Sequence, residues 1–318
     1  MVGTVEFEFG SGIGVRIVMM RWMVFAGVGV MLAVGDVGVS QQGAGARAAA
    51  PARPGWQVRG ASNVRTPVYD TVQPTLPFVM DAPAILIFSK TNGFRDEKAM
   101  LASNMALLEM AEREGWSYFV TENAAVFNPE QLRQFQAVVW NNTSGDVLTP
   151  EQREAFKDYI EGGGGFVGIH GAGGDPQYAW RWYVERLIGA QFIGHPSGPQ
   201  FQQATVRIED TNDPATRLLG EEWQRVDEWY SFAASPREKV HVLATLDERT
   251  YSPMGGQRDL RMGKDHPIIW KHCVGKGRAF YSALGHSAGT YQEPLHLAML
   301  RGAIAWAAGL EGEGCVVR

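Results

Sequence analysis

Four polar segments stand directly behind short apolar runs, and they hold most of the residues able to do chemistry. Gly165 to His170 (GFVGIH) opens into Gly171-Ala172-Gly173-Gly174. A strand leading into Gly-x-X-Gly-Ala and then a helix is the layout of a nucleophile elbow, where a sharp turn exposes residue X and glycines provide clearance. Here X is His170. An acyl-transfer nucleophile is missing, and an imidazole in that place suits a general base or a metal ligand. His286 follows a second apolar run, Ala279 to Ala283, and lies between Gly285 and Ser287. His195 sits in Gly194-His195-Pro196, where the proline restricts the backbone. Asp227-Glu228-Trp229-Tyr230 places two carboxylates beside two aromatics.

His170, His195, Glu228 and His286 form a ligand set suited to zinc or another divalent first-row metal. Three protein ligands plus water would let such a site activate water or polarise a carbonyl. His170, His286 and Glu228 equally suit metal-free acid/base catalysis, and sequence spacing does not choose between the two. His241, His266, His272 and His296 read as structural or solvent-exposed. Asn141, Asn142 and Thr143 close a third apolar run (AVVWN) and offer hydrogen bonds to sugar hydroxyls. Trp180, Trp182, Trp229 and Tyr230 offer rings for stacking on a sugar, although the ten tryptophans also fit ordinary packing.

These groups need a scaffold that brings distant segments to one edge. Apolar runs at Ala84 to Ser89, Ser117 to Glu122, Ala137 to Asn141 and Gly165 to His170 read as strands, most of them short and fit for burial on both faces. Helical patterns separate them: Asp96 to Glu114 stopped by Gly115, Pro129 to Phe135, a helix opened by Thr149-Pro150, and Tyr178 to Leu187. Strand and helix alternating at this spacing predict a parallel sheet with helices on both faces. In such sheets ligands bind beyond the carboxyl ends of the strands. The second half carries more strand character, at Ala204 to Glu209, Val240 to Thr245, Ile268 to Lys271 and Ala279 to Ala283. A helix over 293–308 closes the domain.

The chain has 318 residues, 45% of them hydrophobic, enough for a sizeable core. Its formal net charge is −5 with no basic stripe, which argues against a nucleic-acid partner. Met20-Arg21-Trp22, an apolar run from Met23 to Val34 and small residues up to Ala50 follow the order of a secretory signal. Residues 1–50 are therefore expected to be a signal region, with translation starting at Met19 or Met20, and the protein to be exported to the periplasm or beyond the cell. The apolar run is too short for a comfortable membrane span. Residues 51–80 read as a linker, 81–310 as the folded domain and 311–318 as a tail. With Cys315 in that tail, no disulfide to Cys273 is expected.

At these residues the chain resembles the ThuA-like (trehalose-utilisation) family over about 83–310. The resemblance is carried by Ile85 to Arg95, Val139 to Leu148, Gly163 to Gly171, Trp180 to Tyr183, Gly194-His195-Pro196, Asp227 to Tyr230, Gly275 to His286 and Ile304 to Gly309. It implies a flavodoxin-like, class I glutamine amidotransferase-like three-layer sandwich with a mainly parallel sheet. His170 stands where those enzymes place their cysteine, so amidotransferase activity is not implied. The family name implies a carbohydrate partner, trehalose or a keto-glycoside, and no nucleotide cofactor. Asp96 and Asp213 stand where many relatives carry histidine. A non-catalytic carbohydrate-binding module is the rival expectation.

Overall fold

The computed structural model describes residues 4–9, 13–18, 66–76 and 80–315. Most of the expected signal region, 1–50, and the first part of the expected linker, 51–65, lie outside the described residues. In the first unit, β1 (Thr4–Phe9) and β2 (Ile13–Val18) pair as an antiparallel hairpin. The second unit, from residue 63 onward, holds everything that follows.

Its first half alternates as the sequence predicts: β3 (Ala84–Phe88), α1 (Glu97–Glu114), β4 (Ser117–Thr121), a short α2 (Pro129–Leu132), β5 (Ala137–Asn141), α3 (Pro150–Gly162) and β6 (Gly165–Ile169). Local chemistry sets the boundaries. The Asp96 carboxylate accepts from the Lys98 and Ala99 amides to start α1, and Gly115 ends it in the left-handed region at φ 72°. Thr149 and Gln152 form a capping box at α3, with Pro150 at its first position. Strands β3, β5 and β6 are buried at every residue, as continuous apolar runs require.

The predicted helix at Tyr178 to Leu187 is shorter than expected, a π-helical turn over Tyr183–Ile188. Then come β7 (Phe192–Gly194), β8 (Phe201–Ile208), β9 (Glu222–Glu228), β10 (Ser231–Phe232), β11 (His241–Leu246), the small pair β12 (Met254–Gly255) and β13 (Arg258–Asp259), β14 (Pro267–Val274), β15 (Gly277–Ser282) and α4 (Pro294–Ala307). Strand β9 went unrecognised in the sequence because its alternation carries polar residues on both faces, with Arg225 and Asp227 on the buried one.

One nine-stranded sheet runs β4-β3-β5-β6-β15-β14-β11-β8-β9. The strands from β4 to β15 are parallel; the four remaining pairings, out to β9, are antiparallel. The sheet is thus mixed, parallel through its first five strands and antiparallel beyond them. This matters for the site, because four reversals leave β9 running in the same direction as β15. The carboxyl ends of β6, β15 and β9 therefore share one edge.

Two further expectations change. Residues 66–76, taken as linker, run extended along the domain: the Asp70 carboxylate accepts from Lys90 Nζ at 2.5 Å and the Ala124 amide at 2.8 Å, and Gln131 donates to the Pro74 carbonyl. Composition rich in proline and small residues conceals these bonds, because they are made by single carbonyls and one carboxylate. Cys273 and Cys315 form a disulfide, contrary to expectation. The tail returns because Gly309 and Gly312 adopt positive φ and Trp306 Nε1 donates to the Glu313 carbonyl.

Candidate functional site

The elbow read from the sequence is present in the backbone. His170 directly follows β6 with φ 44°, a left-handed conformation that is costly for a residue with a side chain. Its carbonyl accepts from Tyr281 Oη, and its ring is held by an Nδ1–H bond of 2.7 Å to the Ala283 carbonyl. That bond decides the tautomer of the neutral ring: a carbonyl only accepts, so the proton sits on Nδ1 and the lone pair on Nε2 points elsewhere.

It points at two other groups. His170 Nε2 lies 2.9 Å from His286 Nδ1 and 3.2 Å from Glu228 Oε2; His286 Nδ1 lies 3.0 Å from the same oxygen. All three side chains are buried. On a flat sheet, β9 stands four strands from β15, about 19 Å at ~4.8 Å per strand. Glu228 is the last residue of β9, whereas His286 lies four residues beyond the end of β15, so the segment after β15 takes part in closing that distance.

The His170 Nε2 lone pair and a Glu228 oxygen therefore both face His286 Nδ1, which in its Nδ1–H form donates to them. A proton on His286 Nδ1, or a metal ion in its place, makes the arrangement favourable. A tetrahedral ion with bonds of about 2.0–2.1 Å separates its ligands by roughly 3.3–3.4 Å. The observed separations are close to that edge length, and the three residues offer donor atoms all within 4.8 Å of one another. The donor set of two imidazoles and one carboxylate suits zinc and its first-row neighbours. Burial pushes the Glu228 carboxyl up, but its contacts with His170 and His286 and the charge of His195 outweigh it, holding Glu228 well below the usual carboxylate range. Burial pushes His286 down, but its bond to Glu228 and the charges of Asp227 and Asp96 win, so it sits above its ordinary 6.5.

His195 is brought to the site but not into this group. Its Nδ1 lies 2.9 Å from the Pro196 carbonyl and 3.2 Å from Oε1, the other Glu228 oxygen, which also accepts from Gln200. Its side chain is 34% exposed, far more than those of His170 and Glu228. Of the four residues read as ligands, three converge and His195 instead backs the carboxylate from the solvent side.

The residues expected to bind sugar are mostly committed elsewhere. Asn141 is buried and bonded to Ser103 and Asn104; Thr143 donates to the Phe88 carbonyl. Asn142 bonds Tyr291 Oη and Asn141, its backbone at φ 53° beside Gly171. Trp229 is fully buried and donates to the Gln202 carbonyl, so stacking on a ligand is ruled out for it. Tyr230 is buried with its ring 4.2 Å from that of His170. Trp180 packs on Trp182, Tyr183 and Phe156. Strand-end position shows where a residue lies along the chain, not whether its polar atoms are already satisfied.

The sequence reading missed Asp227 as an anchor. Its carboxylate accepts from the amides of Gly285, His286 and Glu228 and from Arg225 Nη2, itself buried over the Trp223 ring. It ties the backbone of one cluster residue to that of another. The Trp223-x-Arg225-x-Asp227 alternation is the signal that would have placed this pair on the inner face of a strand.

Comparison with known proteins bears on the family and the fold. The family model for ThuA, described as trehalose utilisation, matches residues 84–307. A ThuA-like protein from Bacteroides uniformis superposes with a TM-score of 0.61 at 25% identity, covering 74% of this chain and 95% of that one. A second ThuA-like protein, from Parabacteroides merdae, gives 0.55 at 18% identity, covering 74% and 93%. No curated protein matches the chain.

Proposed function

The chain belongs to the ThuA, trehalose-utilisation family, and from that premise we propose that it is an exported enzyme of carbohydrate metabolism. Its reactive centre is the His170–Glu228–His286 group, and its substrate class is trehalose or a related keto-glycoside. One observation carries this reading: two buried imidazoles and a buried carboxylate bring donor atoms of metal-ligand type within 4.8 Å of one another. The donors fit a divalent first-row cation, which when bound would polarise a substrate carbonyl or acidify a water.

The residues divide the remaining work. His170, locked by Ala283, presents one fixed tautomer. Asp227 sets the position of the His286 backbone and so of its ring. Glu228 stays ionised and supplies the negative charge that keeps a cation at the site. His195 is the imidazole with solvent access and is oriented by Glu228, so it is the group to pass a proton to or from a substrate. Export is supported by the secretory order of residues 20–50 and by the Cys273–Cys315 disulfide, a bond favoured in oxidising compartments. Among the described residues no helix is long and apolar enough to cross a membrane.

Elemental analysis of the purified full chain tests the centre. About one divalent ion per chain is expected in the wild type and none in His170→Ala, with turnover of keto-glycosides lost in parallel. Equal turnover by His170→Ala and the wild type would refute the proposal.

A further inference from the structure

Two exposed phenylalanines lie against His286, and neither is explained by the fold. Phe94 is 55% exposed and its ring centroid is 5.9 Å from that of His286; Phe201 is 41% exposed and 5.1 Å away. They come from separate parts of the chain, Phe94 from the turn between β3 and α1, Phe201 from the first residue of β8. Phe201 sits opposite Glu228 in the β8–β9 register, which fixes it at the site edge.

The Phe94 turn is held firmly. The Asn92 and Gly93 amides both donate to the Ser144 carbonyl, Ser144 Oγ donates to the Phe94 carbonyl, and the backbones of Gly93 and Gly145 approach so closely that a Cβ at Gly145 would meet the Gly93 nitrogen at 2.4 Å. An exposed ring on a backbone held by this many bonds retains its hydration cost in the free protein, and a ligand covering it would recover that cost.

The polar surroundings narrow the ligand. Asp96 spends Oδ1 on the α1 cap, while Oδ2 stands 3.7 Å from His286 Nε2, beyond hydrogen-bond reach. Gln200, next to Phe201, is bonded to Glu228. An apolar ligand would strand the Asp96 carboxylate, and a wholly polar one would leave the rings wet. A pyranose meets both demands, with C–H groups on its face and hydroxyls on its rim.

We propose that Phe94 and Phe201 form an aromatic platform that takes the apolar face of a pyranose ring and seats the sugar against His286, with Asp96 Oδ2 accepting from a ring hydroxyl. The platform rests on the carbohydrate reading above and adds the residues that select a cyclic sugar.

Calorimetric titration of the full chain with trehalose and with sorbitol, an acyclic polyol, tests it. The wild type is expected to bind trehalose and not sorbitol. Phe94→Ala/Phe201→Ala is expected to weaken trehalose binding roughly tenfold or more without moving the melting temperature. Phe94→Leu/Phe201→Leu, which keeps bulk but not the ring, is expected to lose affinity too. Unchanged trehalose affinity in both double variants, or sorbitol binding as tight as trehalose binding, overturns the platform and leaves the carbohydrate reading standing. A wild type that binds neither trehalose nor other pyranosides overturns both.

Discussion

Two imidazole–carboxylate groups adjoin Tyr230, one at its carbonyl and one at its ring, and they differ in one respect. His266 Nδ1 is 2.8 Å from Glu248 Oε1 and its Nε2 donates to the Tyr230 carbonyl; Glu248 also accepts from the Met262 and Gly263 amides. Every polar atom there faces a partner supplied by the chain. In the second group the buried side chains of His170, His286 and Glu228 face one another, with donor atoms all within 4.8 Å, a spacing that could hold a metal ion. A closed group of this kind holds a fold together; an open one is available for chemistry. Burial and residue type alone would not have separated them.

The largest expected effect separates them by activity. His170→Ala and His286→Ala should each lower turnover by about 10²–10⁴, the usual worth of a positioned acid, base or ligand. His266→Ala should leave the ion stoichiometry intact and lower the melting temperature instead. Ion loss from the His266 variant at an unchanged melting temperature would erase the distinction.

Next in size is Asp227. Removing it strands Arg225 in the interior, and breaking a buried pair costs about 3–5 kcal/mol. Denaturant unfolding of Asp227→Ala should show this, with weakened ion binding because the His286 backbone loses its anchor. A smaller cost, about 1–3 kcal/mol, is expected for His266→Ala, which leaves Glu248 short of one partner. For His195→Ala the stability change should stay within about 0.5 kcal/mol, as at other partly exposed positions, while steady-state kinetics show a lower kcat.

The smallest effect is the pH dependence of the ion-free protein. Glu228 is depressed in the fold, so its contribution is present above the ordinary carboxylate range and fades as pH falls toward the depressed value. His286 is raised, so its contribution is full below 6.5 and is lost as pH climbs through the raised value. Ion-free protein should therefore melt highest between roughly pH 5 and 6.5 and lose stability on the alkaline side. His286→Ala should flatten that alkaline loss; an equal slope in variant and wild type would assign it to another group.

Much of this was legible in the chain. Unbroken apolar runs such as AILIF and GFVGI identify strands buried on both faces, because no polar side chain could be accommodated there. Thr149-Pro150, Asp96 and Gly115 place helix ends through backbone bonds formed within a few residues. The Gly-rich turn places His170 at the end of β6 for the same local reason, although its side chain is buried rather than exposed.

What required tertiary structure is everything decided by pairing across long stretches of chain. That Glu228 meets His286 rests on four strand reversals and on the segment that follows β15. That His195 faces the outer carboxylate oxygen, that Asn141 and Trp229 are already satisfied, and that Cys315 returns to Cys273 are facts of packing. Local sequence sets backbone conformation because its energies act over neighbouring residues. Which polar atoms remain unpaired depends on partners tens to hundreds of residues away, and only the folded chain brings them together.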